Sequence, residues 1–362
     1  MRQGNLNLIL KDPIAWLILA VPLAFLAEVG HWGELWVFLL SALGVVPMAR
    51  YIGEATDALA IYTGPRVGGL LNATLGNAAE LIITIFAIRA GLLDLVKASI
   101  TSSILGNLLL VLGMSMVVGG IRNGVQSFHR QQATNNAILL SLAIVALVVP
   151  SLFSHYISPD WSVQVEALSL GVAGVMILLY GLGLAFSFML TNRPLTAPLG
   201  ENVRTARHTW PLRTAVIILV VSTAGVAYLS ELLVGAVEPV VVRLGISEFF
   251  LGIILIPLIG NVAEHLVAVR VAAQNKMELS VEISVASSLQ IALFVSPVLV
   301  FVSLLLGNPL TLIFNQFELV ALIAGVLIAA MVSSDGESNW LEGAELLAVY
   351  TILGLAFYLL PV

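Results

Sequence analysis

No cysteine occurs anywhere in the 362 residues, which excludes disulfides, thiolate metal centres and cysteine nucleophiles while leaving the redox compartment open. Charge is almost as scarce. Asp, Glu, Lys and Arg make up 10% of the chain against 59% hydrophobic residues, a composition far from that of a soluble domain. The net charge of -6 is too small an imbalance on so apolar a chain to indicate a nucleic-acid partner. There is no His-Glu-x-x-His zinc site, which argues against an intramembrane enzyme and against a cofactor. No small-residue cleavage site follows the first apolar segment, so the start, with Arg2 and Lys11 ahead of it, is expected to be an uncleaved span. What remains is a mean hydropathy of +1.05, the mark of an integral membrane protein whose first partner is the lipid bilayer.

A span needs about 20 mostly apolar residues. Eleven such windows are expected, near 13–30, 34–55, 66–90, 95–119, 132–150, 163–190, 212–243, 247–272, 279–305, 317–333 and 341–361. Windows this long and continuously apolar are helical, because barrel strands are short and alternate. The fold class is therefore an all-α polytopic membrane protein. With the N-terminus inside, 12 basic residues (Arg2, Lys11, Arg50, Arg66, Arg122, Arg130, Arg193, Arg204, Arg207, Arg213, Arg270, Lys276) fall in cytoplasmic segments and only Arg89, Lys97 and Arg243 outside. That bias predicts a cytoplasmic N-terminus and an external C-terminus.

Sliding the sequence by 184 residues lays Gly76, Asn77, Ala79 and Glu80 of "GNAAEL" on Gly260, Asn261, Ala263 and Glu264 of "GNVAEH". The same offset pairs Glu54 with Glu238 and Asp94 with Glu278. Leucine matches mean little in such a chain; a block of Gly, Asn and Glu does not recur in spans by composition alone. The expected organisation is an extra N-terminal helix (1–32), a five-helix repeat (33–191), a linker (192–211) and a second five-helix repeat (212–362). An odd number of spans per repeat makes the copies cross the membrane in opposite directions, the inverted topology of secondary transporters.

Asn77 and Glu80 are three residues apart and share a helix face, with Thr74 and Thr84 extending it, and Asn261 and Glu264 repeat the geometry. Gly76, Gly260 and Pro257 are expected to loosen the helices and free carbonyls beside the carboxylates. A lone ionised carboxylate in the bilayer centre is costly, so it must be protonated or paired. Two of them balance one divalent cation or two protons, and an empty, doubly ionised pair is disfavoured. The consequence is exchange rather than leak, which sets a carrier above a cation channel. Oxygen-only ligation suits Ca2+ as transported substrate; Mn2+ stays open and Mg2+ dehydrates reluctantly. Further oxygens come from Ser102, Ser103 and Asn107 in "TSSILGN" and from Ser287, Ser288 and Gln290 in "ASSLQIA". His265 stands as ligand, proton acceptor or bystander, and Glu54 and Glu238 as gating candidates.

"GNAAELI" with "SSILGNLLLVLG", then "GNVAEH" with "ASSLQIALFVSP", resembles the paired repeats of the cation/proton exchangers within the calcium/cation antiporter superfamily. That resemblance spans nearly the whole chain. It implies Ca2+/H+ antiport, with Glu80 and Glu264 binding either Ca2+ or protons and with Asn77, Asn261, carbonyls of Gly76 and Gly260 and the serine-helix residues supporting them. It also implies that the second and seventh spans gate access. Sodium coupling is the alternative, but the Gly-Thr-Ser and Pro-Glu features of the sodium branch are replaced here by amide and alanine. The 191–210 segment holds one acid, Glu201, among several arginines, unlike the acidic helix of eukaryotic members. A compact prokaryotic cell-membrane protein is expected, and a homo-oligomer is compatible with the sequence.

Overall fold

The computed structural model describes residues 13–154, 162–190 and 210–359. The expected linker falls almost wholly outside them, as do Arg2 and Lys11. Nearly every described segment is helical: α1 (Ile14–Val29), α2 (Glu34–Leu75), α3 (Ala78–Arg89), α4 (Leu93–Asn123), α5 (Arg130–Ser154), α6 (Ser162–Leu190), α7 (Leu212–Gly235), α8 (Val237–Leu244), α9 (residues 248–273), α10 (Met277–Leu305), α11 (Gln316–Val332) and α12 (Trp340–Tyr358). Seven of these are long and apolar enough to cross a bilayer, with α1 and α11 as shorter apolar helices.

The departures from the expected spans have local causes. The third window is not one helix: Asn77 adopts φ -99°, ψ 23° at the position before α3, its side chain making no capping bond, while Gly76 before it keeps helical angles. Asparagine tolerates this sparsely populated conformation, so the break falls on the amide and not on the glycine. The seventh window ends at Gly235, because Pro239 has no N–H to donate to the Gly235 carbonyl; Glu238 is thus carried on the separate short helix α8. The second window runs past 55 to Gly64, where φ 81° and ψ 171° turn the chain in a way glycine alone adopts easily.

Gly260, expected to loosen its helix, lies inside a regular segment, Ile256–Ala273; the irregularity is upstream, as wide π turns over Leu251–Leu255. Pro257 cannot donate to the Ile253 carbonyl, which explains a widened turn there. Similar π turns cover Gly106–Val111 in α4 and Ile291–Val295 in α10. Under the 184-residue offset these two coincide.

Loop contacts fix relative directions. On one face, Gln126 Nε2 donates to the Ala272 carbonyl (3.1 Å) and Asn275 Oδ1 (2.9 Å), and Asn123 Nδ2 to the Ala272 carbonyl (3.3 Å). There, too, β1 (Gln126–Ser127) pairs antiparallel with β2 (Glu337–Ser338). On the opposite face, Asn308 Nδ2 donates to the Ile88 carbonyl (2.9 Å) and the Phe314 amide to Ser151 Oγ (2.9 Å). The start of α4 touches the start of α9, where Ser102 Oγ donates to the Gly252 carbonyl (3.3 Å), and their ends meet at Asn123 and Ala272. α4 and α9 are therefore parallel. The tight turn between Arg89 and Leu93 reverses α3 against α4, so the two motif helices, α3 and α9, run in opposite directions.

Small residues let the helices approach, as lipid offers no hydrophobic drive for their association. Gly113 of α4 lies against Gly343 of α12, and a Cβ on Gly343 would stand 2.6 Å from both the Gly113 carbonyl and the Val117 amide. Outward faces carry lipid-facing apolar side chains such as Val175, Leu178 and Leu182 on α6 and Val220 and Val221 on α7.

Candidate cation site

α3 and α9 bring the two repeated motifs to the centre of the bundle. Glu80 is buried, 4% exposed. Its Oε1 accepts from Ser103 Oγ of α4 and from Asn261 Nδ2 of α9, both at 2.5 Å, while Oε2 is buried with no partner. Gly260 explains itself here: a Cβ on it would press on Glu80 Cγ at 3.1 Å, so its lack of a side chain makes room for the carboxylate of the other motif.

The Glu264 side is held more loosely. Its Oε2 accepts from Ser287 Oγ of α10 at 3.5 Å, the limit of a hydrogen bond, and Ser287 also reaches Asn77 Oδ1 at 3.4 Å. Asn107 Nδ2 donates to Ser287 Oγ at 3.0 Å. If the copies were equivalent, Asn77 would bond Glu264 as Asn261 bonds Glu80. Instead Asn77 Nδ2 donates to Gln290 Oε1 at 2.7 Å. Glu80 and Glu264 feel each other electrostatically, and Asp57 of α2 is a third acid within reach of Glu264.

Other predicted residues sort themselves by direction. Ser102 donates to the Ser99 and Gly252 carbonyls and Ser288 to those of Ser284 and Ile104, so both hydroxyls serve backbone. Thr74 and Thr84, placed on the polar stripe by spacing, bond back to their own helices at Leu70 and Glu80 carbonyls. His265 is 6% exposed, neither ring nitrogen has a partner, and it lines a small cavity with Ser102, Ser103, Asn261 and Tyr350. It therefore faces the residues that hold Glu80. Glu54 pairs with Arg50 at 2.9 Å on α2. Glu238 is exposed on α8, with Glu248 as its electrostatic neighbour, so the in-register pair occupies unlike places.

Sequence reasoning missed Asp57, three residues after Glu54 and on the same helix face; the offset gives it Val241 as counterpart, so no repeat flagged it. Among the described residues no three His, Asp or Glu side chains form a metal-binding group. Two carboxylates among amide and hydroxyl oxygens make a hard, oxygen-lined centre of charge -2 when ionised, able to hold a divalent cation or two protons.

Fold and site together define a polytopic α-helical membrane protein with a pair of carboxylates, Glu80 buried and Glu264 half-buried, delivered by two antiparallel helices. Its family follows from comparison with known proteins: the chain belongs to the sodium/calcium exchanger protein family, whose profile matches residues 33–189 and again 214–359. It is 45% identical over 360 residues to the Ca2+/H+ antiporter of Aphanothece halophytica, with 96% of each chain covered. Native YfkE shares the fold at TM-score 0.84 and 41% identity, over 96% of this chain and 100% of that one. The H+/Ca2+ exchanger CAX matches at TM-score 0.72 and 15% identity over 95% and 91% of the chains, a likeness of fold alone.

Proposed function

We propose that this chain is a secondary transporter, not an enzyme, and that it exchanges Ca2+ for H+ by alternating access, with Glu80 and Glu264 taking either one Ca2+ or protons. The observation that carries this reading is the convergence of two carboxylates from antiparallel helices, Glu80 held by Ser103 and by Asn261 of the other motif, and Glu264 reached by Ser287. Within the membrane the pair is tolerated only when neutralised by Ca2+ or protons, which couples the movement of the two ions. The names of the closely similar relatives agree with it. The double match of the family profile supports the division into repeats at 33–191 and 212–362 joined by the 192–211 linker. Basic-residue bias supports a cytoplasmic N-terminus and an external C-terminus.

The free Oε2 of Glu80 faces the ion; Asn261 and Ser103 orient the carboxylate through Oε1. In proteoliposomes acidified inside, Ca2+ is expected to enter as protons leave. A sodium gradient of the same size gives no uptake. Uptake driven equally by sodium would overturn the proton assignment, and Mn2+ displacing Ca2+ at equal concentration would reassign the cargo.

Asn261→Ala removes a charge-assisted bond to Glu80, worth roughly 1.5–3 kcal/mol, and is expected to weaken Ca2+ binding at least about tenfold. Asn77→Ala leaves Glu80 bonded and should weaken it less. Calcium titration of both variants gives the ranking, and the reverse order contradicts it.

A further inference from the structure

Glu318, at the start of α11, is 2% exposed and lies outside the site. Its Oε2 accepts from the Asn315 amide (2.9 Å) while the Glu318 amide donates to Asn315 Oδ1 (2.8 Å), a capping box closing the end of α11. Its Oε1 does something else: it accepts from Thr101 Oγ1 of α4 at 3.2 Å. The charged neighbours around it are Lys97 and Asp94 of the same α4 face, which pair with each other at 2.9 Å. Each oxygen of this buried carboxylate already accepts from a protein donor. It holds a helix.

The helix it holds is the one that positions Glu80. Thr101 and Ser103 are two residues apart, about 200° around an α-helix, so Thr101 faces α11 while Ser103 faces the carboxylate. Both belong to the regular segment Leu93–Leu105, directly before the π turns at Gly106–Val111. Two turns along α11, Gly325 lets Leu105 and Leu109 pack against its backbone. α11 thus buttresses the segment at two points.

The second copy has no counterpart of this pair. The 184-residue offset carries Thr101 to Val285 and Glu318 back to Thr134, a pair that offers no carboxylate. The looser bond of Ser287 to Glu264, 3.5 Å against 2.5 Å for Ser103 to Glu80, matches that difference.

We infer that Glu318 is a positioning residue: through Thr101 it anchors the first serine helix, making Glu80 the fixed wall of the cation site and Glu264 the adjustable one. This rests on the proposed role of Glu80 as cation ligand. The test is Thr101→Val, which removes the anchor bond and keeps the cap of α11, with Thr101→Ser as rescue. Thr101→Val is expected to raise the Ca2+ KM about tenfold, as loss of a ligand-orienting partner does, with the maximal rate within about twofold. Amide hydrogen exchange should quicken over Leu93–Leu105 but not over Met277–Gln290. Thr101→Ser should restore both readings. A folded Thr101→Val protein with unchanged KM and exchange overturns the inference, and so does faster exchange spread equally over both segments. Failure of the ligand reading is seen separately, as wild-type transport by Glu80→Gln.

Discussion

Glu80→Gln is expected to abolish exchange while leaving the fold intact. Glutamine keeps an oxygen for Ser103 and Asn261, both now bonded to Oε1, so the packing around Gly260 survives and the melting temperature should hold. What disappears is charge. Leaving a buried charge without its partner costs roughly 3–5 kcal/mol, about two to three and a half decades of affinity at about 1.4 kcal/mol per decade. The site then holds a divalent cation with one negative charge, and it gives up a proton-exchangeable group. Proton-driven Ca2+ flux and Ca2+-induced proton release should both vanish. Glu264→Gln should do the same, and a variant of either kind that still moves Ca2+ at a tenth of the wild-type rate would remove the carboxylate pair from the mechanism.

The second large effect concerns stability. Gly343→Val puts a branched side chain where even a Cβ would sit 2.6 Å from the Gly113 carbonyl and 2.8 Å from Met116 Cβ. Backbone cannot yield as a side-chain tip can. Overpacking of this sort costs about 3 kcal/mol or more, and α12 should lose its seat on α4. Thermal unfolding in detergent is expected to shift down strongly, with poor yield of folded protein. The swap Leu355→Val, at a 59% exposed position on α12, should leave both unchanged; equal behaviour of the two variants would show that the glycine contact is not what seats α12.

The paired motifs were legible because amides and carboxylates are rare in apolar segments, so their recurrence at a fixed offset stood out against leucine noise. Fold class and the opposed directions of α3 and α9 followed from the same arithmetic. Geometry that depends on packing was not legible. Nothing in "LGIIL" or "GNLLLV" announces π turns. The break falls at Asn77 and not at Gly76, where the amide turns to Gln290 of the other repeat. The unequal treatment of the two motifs, Asn77 turning to Gln290 while Asn261 holds Glu80, breaks the symmetry that the sequence advertises. Glu318 and Thr101 meet across 217 residues, and no periodicity links them.

The stitching of one face has a bearing on how the protein moves. Gln126 and Asn123 bind the end of α9 to the end of α4, and the β1–β2 ladder ties that corner to the connection entering α12. These bonds make a chassis: α4, α9, α10 and α12 are riveted together at one end and cannot part there without losing them. The long pair α2 and α7 packs face to face outside those rivets. The α2–α7 pair carries none of these bonds, so the two helices expected from the sequence to gate access lie outside the riveted corner.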